Sequence, residues 1–210
     1  RLVMHHRIGS KEIVECLRAD DGERIWKYDY RSAYSDPYGY NNGPRCAPVL
    51  SDKYCFTFGA EGKLLCLELQ TGKKVWMVET AKEWQIPDAF FGVGSTPLLV
   101  GKVLFVMVGG NPKAGVVAFD SETGKVLWEA VSKESLKPPH KNFDLDDKIA
   151  SYSSMVIATI HNRPHLLAFL RDGLVSLDPV TGEENFQYFF RSASFESVNA
   201  ASPVVSGNSI

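Results

Sequence analysis

The sequence predicts an all-β fold, a β-propeller built from four-stranded antiparallel blades. Three observations predict it. A glycine is followed four residues later by an aromatic residue, and these aromatics recur 50, 52 and 58 residues apart. Apolar runs of strand length precede each glycine, and turn signals separate the runs. Together they indicate an incomplete array of about four blades.

The repeat is defined by its glycine and its aromatic residue. The pairs are Gly22 with Trp26, Gly72 with Trp76, Gly124 with Trp128, and Gly182 with Phe186. The residues before each glycine favour a tight turn, in which glycine takes a positive φ. The aromatic residue then falls at a fixed place on the outer strand. We expect these rings to pack against the turn of the neighbouring blade, which makes them structural.

The order of strands sets the expected blade boundaries. Each repeat opens on a small-residue strand, continues through a hairpin and ends on the outer strand. Residues 1–30 form a partial blade, residues 45–80, 94–132 and 151–190 form blades, and residues 200–210 start another. An open array is therefore expected, with the rest of the propeller supplied by further sequence. The alternative is a closed four-blade ring, in which residues 201–205 pair beside the strand of residues 2–6.

Composition argues against nucleic-acid binding and against a membrane-spanning segment. The 210 residues carry a net charge of -2, and lysine and arginine are scattered singly. No basic stripe is present, so no nucleic-acid partner is expected. The longest apolar stretch, residues 97–108, is far shorter than the roughly 20 residues that span a bilayer, so no transmembrane segment is predicted.

The four cysteines show no metal-binding or redox spacing. Buried free thiols are expected. If Phe58 pairs with Lys63 across the hairpin turn, Cys55 lies directly opposite Cys66. Even then thiols are expected, because direct cross-strand disulfides demand strained geometry.

One segment carries a family resemblance. Residues 118–128, with the sequence AFDSETGKVLW, resemble the tryptophan-docking motif of the PQQ-like propeller repeat family. That family includes quinoprotein alcohol dehydrogenases, commonly eight-bladed, and the lipoprotein of the bacterial outer-membrane assembly machinery, which binds protein and carries no quinone. Residues 38–45 and 197–203 are similar to uncharacterised secreted bacterial members. The resemblance implies a larger, eight-bladed propeller in the periplasm or outside the cell.

The resemblance leaves two functions open. The leading interpretation is an extracytoplasmic binding or scaffolding module for a protein, peptide or glycan. The alternative is a PQQ-dependent alcohol or polyol dehydrogenase, for which the resemblance implies PQQ and calcium. Such enzymes use an adjacent cysteine pair and a calcium site of Glu, Asn and Asp, and neither is matched. The carboxylates Asp144, Asp146 and Asp147 lack the glycine spacing of a calcium loop and are interpreted as solvated. No catalytic or metal-binding residue is assigned.

The connections between blades are the predicted binding face. They run over about residues 31–46, 80–95, 132–153 and 191–201, longer than the usual four to six residues. Residues in these loops, just before the inner strands, are expected to rim the central channel. The ligand-binding candidates are Tyr40, Asn42, Arg45, Phe91, Tyr152 and Asn199.

Arg45 is the main positive charge of this face and a candidate clamp for an acidic ligand group. The assignment fails if Arg45 is buried in a structural ion pair away from the channel. The alternative is that the aromatic rings merely cap the tops of the blades.

Overall fold

The computed structural model describes residues 1–87, 91–132, 134–136, 148–192, 194, 197–207 and 209–210. The carboxylates Asp144, Asp146 and Asp147 lie outside the described residues. The described part contains a short helix, α1 (Thr80–Glu83). Its strands are β1 (Leu2–Ile8), β2 (Lys11–Leu17), β3 (Arg24–Arg31), β4 (Val49–Leu50), β5 (Tyr54–Phe58), β6 (Lys63–Glu68), β7 (Lys74–Glu79), β8 (Leu98–Val100), β9 (Val103–Val106), β10 (Val116–Asp120), β11 (Val126–Ala130), β12 (Val156–Ile160), β13 (Arg163–Leu170), β14 (Gly173–Leu177) and β15 (Glu184–Phe189).

These strands form four antiparallel sheets, each in chain order. Blade 1 has three strands, β1–β2–β3, and blade 2 has four, β4–β5–β6–β7. Blade 3 is β8–β9–β10–β11, and blade 4 is β12–β13–β14–β15. Every pairing joins strands that are adjacent in the chain, so each blade is a local meander. The prediction of an all-β fold with antiparallel blades is confirmed.

The turn before each outer strand has the same geometry in all four blades. Its glycine has a φ of +71° to +75°, which a residue with a Cβ adopts only under strain. The glycine amide donates to the carbonyl four residues earlier, for example from Gly124 to Asp120 at 2.8 Å. In blade 3 the Asp120 carboxylate also accepts from the Thr123 amide at 2.8 Å. The turn is therefore closed by its own residues.

Each tryptophan of the repeat lies over the turn glycine of the next blade. A Cβ placed on Gly72 would meet the ring of Trp26 at 2.5 Å, so only glycine fits beneath the ring. The indole N–H also donates to the carbonyl three residues before that glycine. These bonds are Trp26 Nε1 to Leu69 O at 2.9 Å, Trp76 Nε1 to Ser121 O at 3.0 Å and Trp128 Nε1 to Pro179 O at 3.3 Å.

The cores lie between the blades. One apolar cluster joins blade 1 to blade 2, and it includes Val14, Trp26 and Leu67. A second cluster fills the space between blades 2 and 3, and a third lies between blades 3 and 4. In blades 2 and 3 both faces of the middle strands are buried, so these strands contribute side chains to two clusters each. The stack is held together by contacts between neighbouring blades.

A β-bulge recurs beside each ring of the repeat. The register shifts directly after Cys16, Cys66, Ala118 and Ser176, the four residues that pair with Trp26, Trp76, Trp128 and Phe186. All four are small. Cys16 and Cys66 therefore share a position that a small residue occupies in all four blades.

The predicted pairing of Cys55 with Cys66 is wrong. Phe58 pairs with Leu64, which places Cys55 opposite Leu67 and Cys66 opposite Phe56. The Gly59 amide bonds to Lys63 O, so Lys63 closes the turn and the register moves by one residue. Cys55 then faces blade 1 while Cys66 faces blade 3. All four cysteines are buried free thiols, and burial raises the pKa of Cys55 and Cys66 to about 12.

Beyond blade 4, residues 201–205 adopt no strand, and Ser206 bridges to Ser209. Within the described ranges, β1 pairs only with β2, so no four-blade ring closes there. None of the described helices has the length and apolar character needed to cross a membrane.

The contact between ring and glycine generates a stability prediction. Gly124→Ala places a Cβ 2.7 Å from Trp76 Cδ2, whereas Gly101→Ala, also at positive φ, meets nothing within 4 Å. Both variants carry the strain of a left-handed alanine, roughly 1–2 kcal/mol. The free energy of unfolding of Gly124→Ala should fall by about 2 kcal/mol more, because the added Cβ overpacks the contact with the ring. Urea unfolding followed by tryptophan fluorescence measures both. Equal losses would mean that the ring does not constrain the blade spacing.

Candidate functional site

The long connections between blades share one face with the β5–β6 turn. We call this the loop face, meaning the described parts of residues 32–47, 84–97, 148–155 and 197–203 with turn 59–62. The turn joins two of these connections, since Glu61 Oε1 accepts from the Ala33 amide at 3.3 Å and Ala60 O accepts from the Val93 amide at 3.0 Å. The loops of successive blades are therefore in contact.

A buried carboxylate organises the first loop. The Asp36 side chain is fully buried and accepts hydrogen bonds from the Asn41 and Tyr38 amides at 3.0 and 2.9 Å. Arg45 Nη2 also donates to the Asp36 carboxylate, at 3.0 Å. The Asn41 amide contributes most to holding the pKa of Asp36 below its ordinary value, against the opposing effect of burial. Asp36 was not among the sequence candidates, although Asp36-Pro37 is a recognisable turn signal.

Arg45 is committed to the same loop. Besides the ion pair with Asp36, its guanidinium donates to Gly43 O at 2.7 Å and Asn41 O at 2.8 Å. It also lies 5.4 Å from the ring centroid of Tyr34. The Arg45 guanidinium is therefore largely engaged by groups of its own loop. Its charge lies at the loop face, but its hydrogen-bond donors hold the loop in shape.

Two further candidates act as tethers. Asn42 Oδ1 accepts from the Asp36 amide at 2.7 Å, and its backbone carbonyl accepts from Arg7 Nη1 at 2.8 Å. Asn199 Nδ2 donates to the carbonyls of three residues of blade 4 and the loop after it: Leu170 at 2.8 Å, Arg171 at 3.1 Å and Phe190 at 3.1 Å. Both amides satisfy backbone groups that would otherwise need water. Arg7, which sequence reasoning missed, ties the first loop to β1.

The other three candidates lie together in one row of rings. The row contains Tyr38, Tyr40, Phe91 and Tyr152. Centroids are 6.4 Å apart between Tyr38 and Tyr40, 6.2 Å between Tyr40 and Phe91, and 5.5 Å between Phe91 and Tyr152. Tyr38 also approaches Phe91 at 5.4 Å. This aromatic row crosses three inter-blade loops.

Exposure differs along the aromatic row. Tyr40 is 79% exposed and Tyr38 is 45% exposed, whereas Phe91 and Tyr152 are half-buried. The Tyr152 hydroxyl accepts from the Phe91 amide at 2.8 Å, and the Tyr152 amide donates to Asn199 O at 3.0 Å. Burial raises the pKa of Tyr152, so its hydroxyl stays protonated across the physiological range. The row thus has a fixed inner end and an accessible outer end.

A recess of about 440 Å³ lies beside the row. Its walls include Tyr34, Pro37, Ala60, Pro87 and Gly92. The Tyr34 hydroxyl is buried and has no hydrogen-bond partner among the described residues. Burial is the main cause that raises the pKa of Tyr34. A cavity of this size, with Tyr34, Ser35 and Glu61 among its lining residues, is within the range of ligand sites.

A polar network lies under the loop face between blades 1 and 2. Glu12, fully buried, approaches His5 Nε2 at 3.3 Å and accepts from the Tyr30 hydroxyl and the Ala60 amide. Burial raises the pKa of Glu12, but the hydrogen bonds from His5, Tyr30 and Ala60 outweigh it and leave the pKa lowered. His6 points to the opposite face and contacts Glu15 at 2.6 Å. The network is inaccessible to a ligand and fixes turn 59–62.

The described residues do not fit a quinone and calcium site of the family type. No group of three or more His, Cys, Asp or Glu side chains among them is arranged to hold a metal ion. No two cysteines are adjacent in the sequence. Burial raises the pKa of Cys46 to about 12, which keeps that thiol protonated. The Arg45 and Asn199 donors on the loop face are instead bonded mainly to backbone carbonyls.

Comparisons with known proteins agree on the fold. A family model described as outer membrane protein assembly factor BamB matches residues 10–210. The quinohemoprotein alcohol dehydrogenase ADH-IIG of Pseudomonas putida is 28% identical over 130 residues, which cover 57% of this chain and 17% of that protein. The chain therefore spans less than a fifth of that relative's length.

Solved structures show the same architecture. The BamB structure from Moraxella catarrhalis superposes with a TM-score of 0.55 at 17% identity, over 86% of this chain and 49% of that one. Quinohemoprotein alcohol dehydrogenase from Comamonas testosteroni gives a TM-score of 0.65 at 16% identity, over 95% of this chain and 35% of that one. At these identities the likeness shows the fold alone.

The Asp36 site generates a pH prediction. The pKa of Asp36 is lower in the folded than in the unfolded chain. The stabilisation that its carboxylate gives the loop is therefore fully present above the unfolded pKa near 3.9, and it is lost as the pH falls through the folded pKa. Amide hydrogen exchange of residues 32–45, corrected for intrinsic rates, should lose protection below about pH 4. Asp36→Asn should reduce protection at neutral pH and abolish this dependence. The exposed Asp52→Asn is the control, and identical exchange in both variants would contradict the assignment.

Proposed function

Because the chain belongs to the PQQ-like propeller family of outer membrane protein assembly factor BamB, we propose that it is an extracytoplasmic binding or scaffolding module. Its ligand is a protein, peptide or glycan held on the loop face. The family resemblance supports a periplasmic or secreted location. The aromatic row is the single observation that carries the proposal, since exposed rings from separate loops are a common feature of binding surfaces.

The proposal divides the candidates into two roles. Tyr40 and Phe91 contact the ligand, together with Tyr38 at the accessible end of the row. Asn42, Arg45 and Asn199 are positioning residues, because their side chains are bonded to the loops that carry the rings. Tyr152 links the two sets, since its hydroxyl bonds the Phe91 backbone and its amide bonds Asn199. A preorganised platform loses less entropy when a ligand binds.

The repeat residues have a scaffolding role in this proposal. Gly22, Gly72, Gly124 and Gly182, with Trp26, Trp76, Trp128 and Phe186, set the distance between blades. That distance determines how far apart the loops stand. The contacts of the three tryptophans with the following turns support this docking role.

Binding measurements test the platform. Tyr40→Ala should weaken binding of its ligand about three- to tenfold, the range for one aromatic contact, with little change in melting temperature because the ring is exposed. Leu127→Ala, which removes an exposed side chain on the outer strand β11, is the matched control. Ligands come from an oligosaccharide array and a peptide array. Ligands whose affinity is unchanged by both Tyr40→Ala and Phe91→Ala would contradict the proposal.

A PQQ-dependent alcohol or polyol dehydrogenase is the second candidate. Sequence similarity to quinohemoprotein alcohol dehydrogenases over more than half of the chain favours it. PQQ, when bound, would accept the electrons of the alcohol, but the described residues do not fit its family site. Titration with PQQ and calcium, followed by tryptophan quenching and a dye-linked alcohol assay, distinguishes the two. The binding proposal expects neither quenching nor dye reduction, and saturable quenching with dye reduction would overturn it.

A further inference from the structure

A groove of about 570 Å³ lies between blades 2 and 3. Its residues come from the end of β7 and the segment after it on one side, and from β10, β11 and the turn between them on the other. None of the four rings of the aromatic row lines it. The groove is therefore a second surface, formed by two neighbouring inner blades, and its volume is within the range of ligand sites.

The floor of the groove is apolar. Phe119 is fully buried at its base, and its partner across the strand pair is Val126, which is 45% exposed. Val78 borders the groove from blade 2, and the Trp84 ring forms one wall. Aliphatic and aromatic groups that water can reach favour contact with the apolar parts of a ligand.

The Trp84 ring is held in place from blade 3. Its Nε1 donates to Glu129 Oε1 at 2.8 Å, and its ring stands edge-on to Phe119 with centroids 6.0 Å apart and an interplanar angle of 82°. A Cβ placed on Gly110 would lie 2.6 Å from Trp84 Cβ, so the backbone of blade 3 packs closely behind the ring. The ring therefore loses little freedom when a ligand contacts it.

The groove carries uncompensated negative charge. Three carboxylates line it, those of Glu79, Glu83 and Glu129, together with the ammonium of Lys82. Lys82 pairs with Glu79. Glu83 and Glu129 form no ion pair within the described part of the chain, and the Trp84 bond engages one oxygen of Glu129. Two carboxylates thus face an apolar groove without a partner cation.

The acid on β11 is not a requirement of the repeat. Glu129 directly follows the docking ring of blade 3, and the equivalent positions of the other blades hold Lys27, Met77 and Gln187. The combination of an acidic rim with a fixed indole therefore belongs to this pair of blades and not to the blade architecture.

We propose that this groove binds an arginine-containing segment of a protein partner. The guanidinium stacks on the Trp84 ring and donates to Glu83 and Glu129, while apolar neighbours of the arginine contact Val78 and Val126. Arginine fits better than lysine, because a planar guanidinium both stacks on an indole and donates to two carboxylates. The site shares no residue with the aromatic row, so the propeller can hold this segment and a loop-face ligand together.

Binding of defined peptides to the 210-residue chain tests the proposal. The probes are capped hexapeptides with one central arginine and varied apolar neighbours. Two matched sets replace the arginine by citrulline, which keeps the shape without the charge, or by glutamate. Fluorescence anisotropy should show arginine peptides that bind about tenfold more tightly than their citrulline counterparts. Their affinity should fall as salt is added, because the rim carboxylates are exposed to solvent.

Carboxylate variants locate the site. Glu83→Gln and Glu129→Gln should each weaken the arginine peptides about threefold, the effect of one exposed ion pair, and together about tenfold. Glutamine still accepts the indole N–H, so the Trp84 contact is retained. Glu184→Gln, which changes an exposed carboxylate on β15, is the matched control and should have no effect. Tyr40→Ala should also leave these affinities unchanged, which separates this groove from the loop face.

Several outcomes would overturn the proposal. One is a peptide set in which no arginine peptide binds better than its citrulline or glutamate counterpart. Another is a double variant, Glu83→Gln with Glu129→Gln, that binds the arginine peptides as the wild-type chain does. Arginine peptides whose binding depends on Tyr40 and not on Glu83 or Glu129 would place the ligand on the loop face instead.

Discussion

The fold depends on one contact, an indole ring lying on a backbone with no side chain. The ring of Trp76 occupies the space where a Cβ of Gly124 would be, and its N–H bonds Ser121 O beside that glycine. A flat surface and a directional bond together fix both the distance and the rotation between two sheets. The apolar clusters between the blades then fill a gap whose width is already set.

Much of this arrangement could be predicted from the sequence because it is local and repeated. The turn, the glycine and the ring lie within nine residues, from Asp120 to Trp128 in blade 3, so a fixed spacing reports all three. The register of the β5–β6 hairpin could not be predicted in the same way. It depends on which residue closes the turn, and a difference of one residue moved Cys55 to the opposite face from Cys66.

The loop face shows the same division between local and long-range information. Position before an inner strand placed Tyr40, Phe91 and Tyr152 on one face, and their rings lie in one row in the structure. Position could not reveal that Arg45 is held by Asp36, because that pairing depends on how the loop folds back. Nor could it reveal that Arg7, in a different strand, holds the same loop.

Because the docking contacts are alike, they affect how the number of blades can change in evolution. Each of the three docking tryptophans meets a turn glycine of nearly the same geometry, so this contact does not limit which blade can follow another. Duplication or loss of one whole repeat would leave every remaining contact intact. Loss of half a repeat would leave a ring with no glycine to pack on. Blade number can therefore vary in whole steps, while the loops diversify independently.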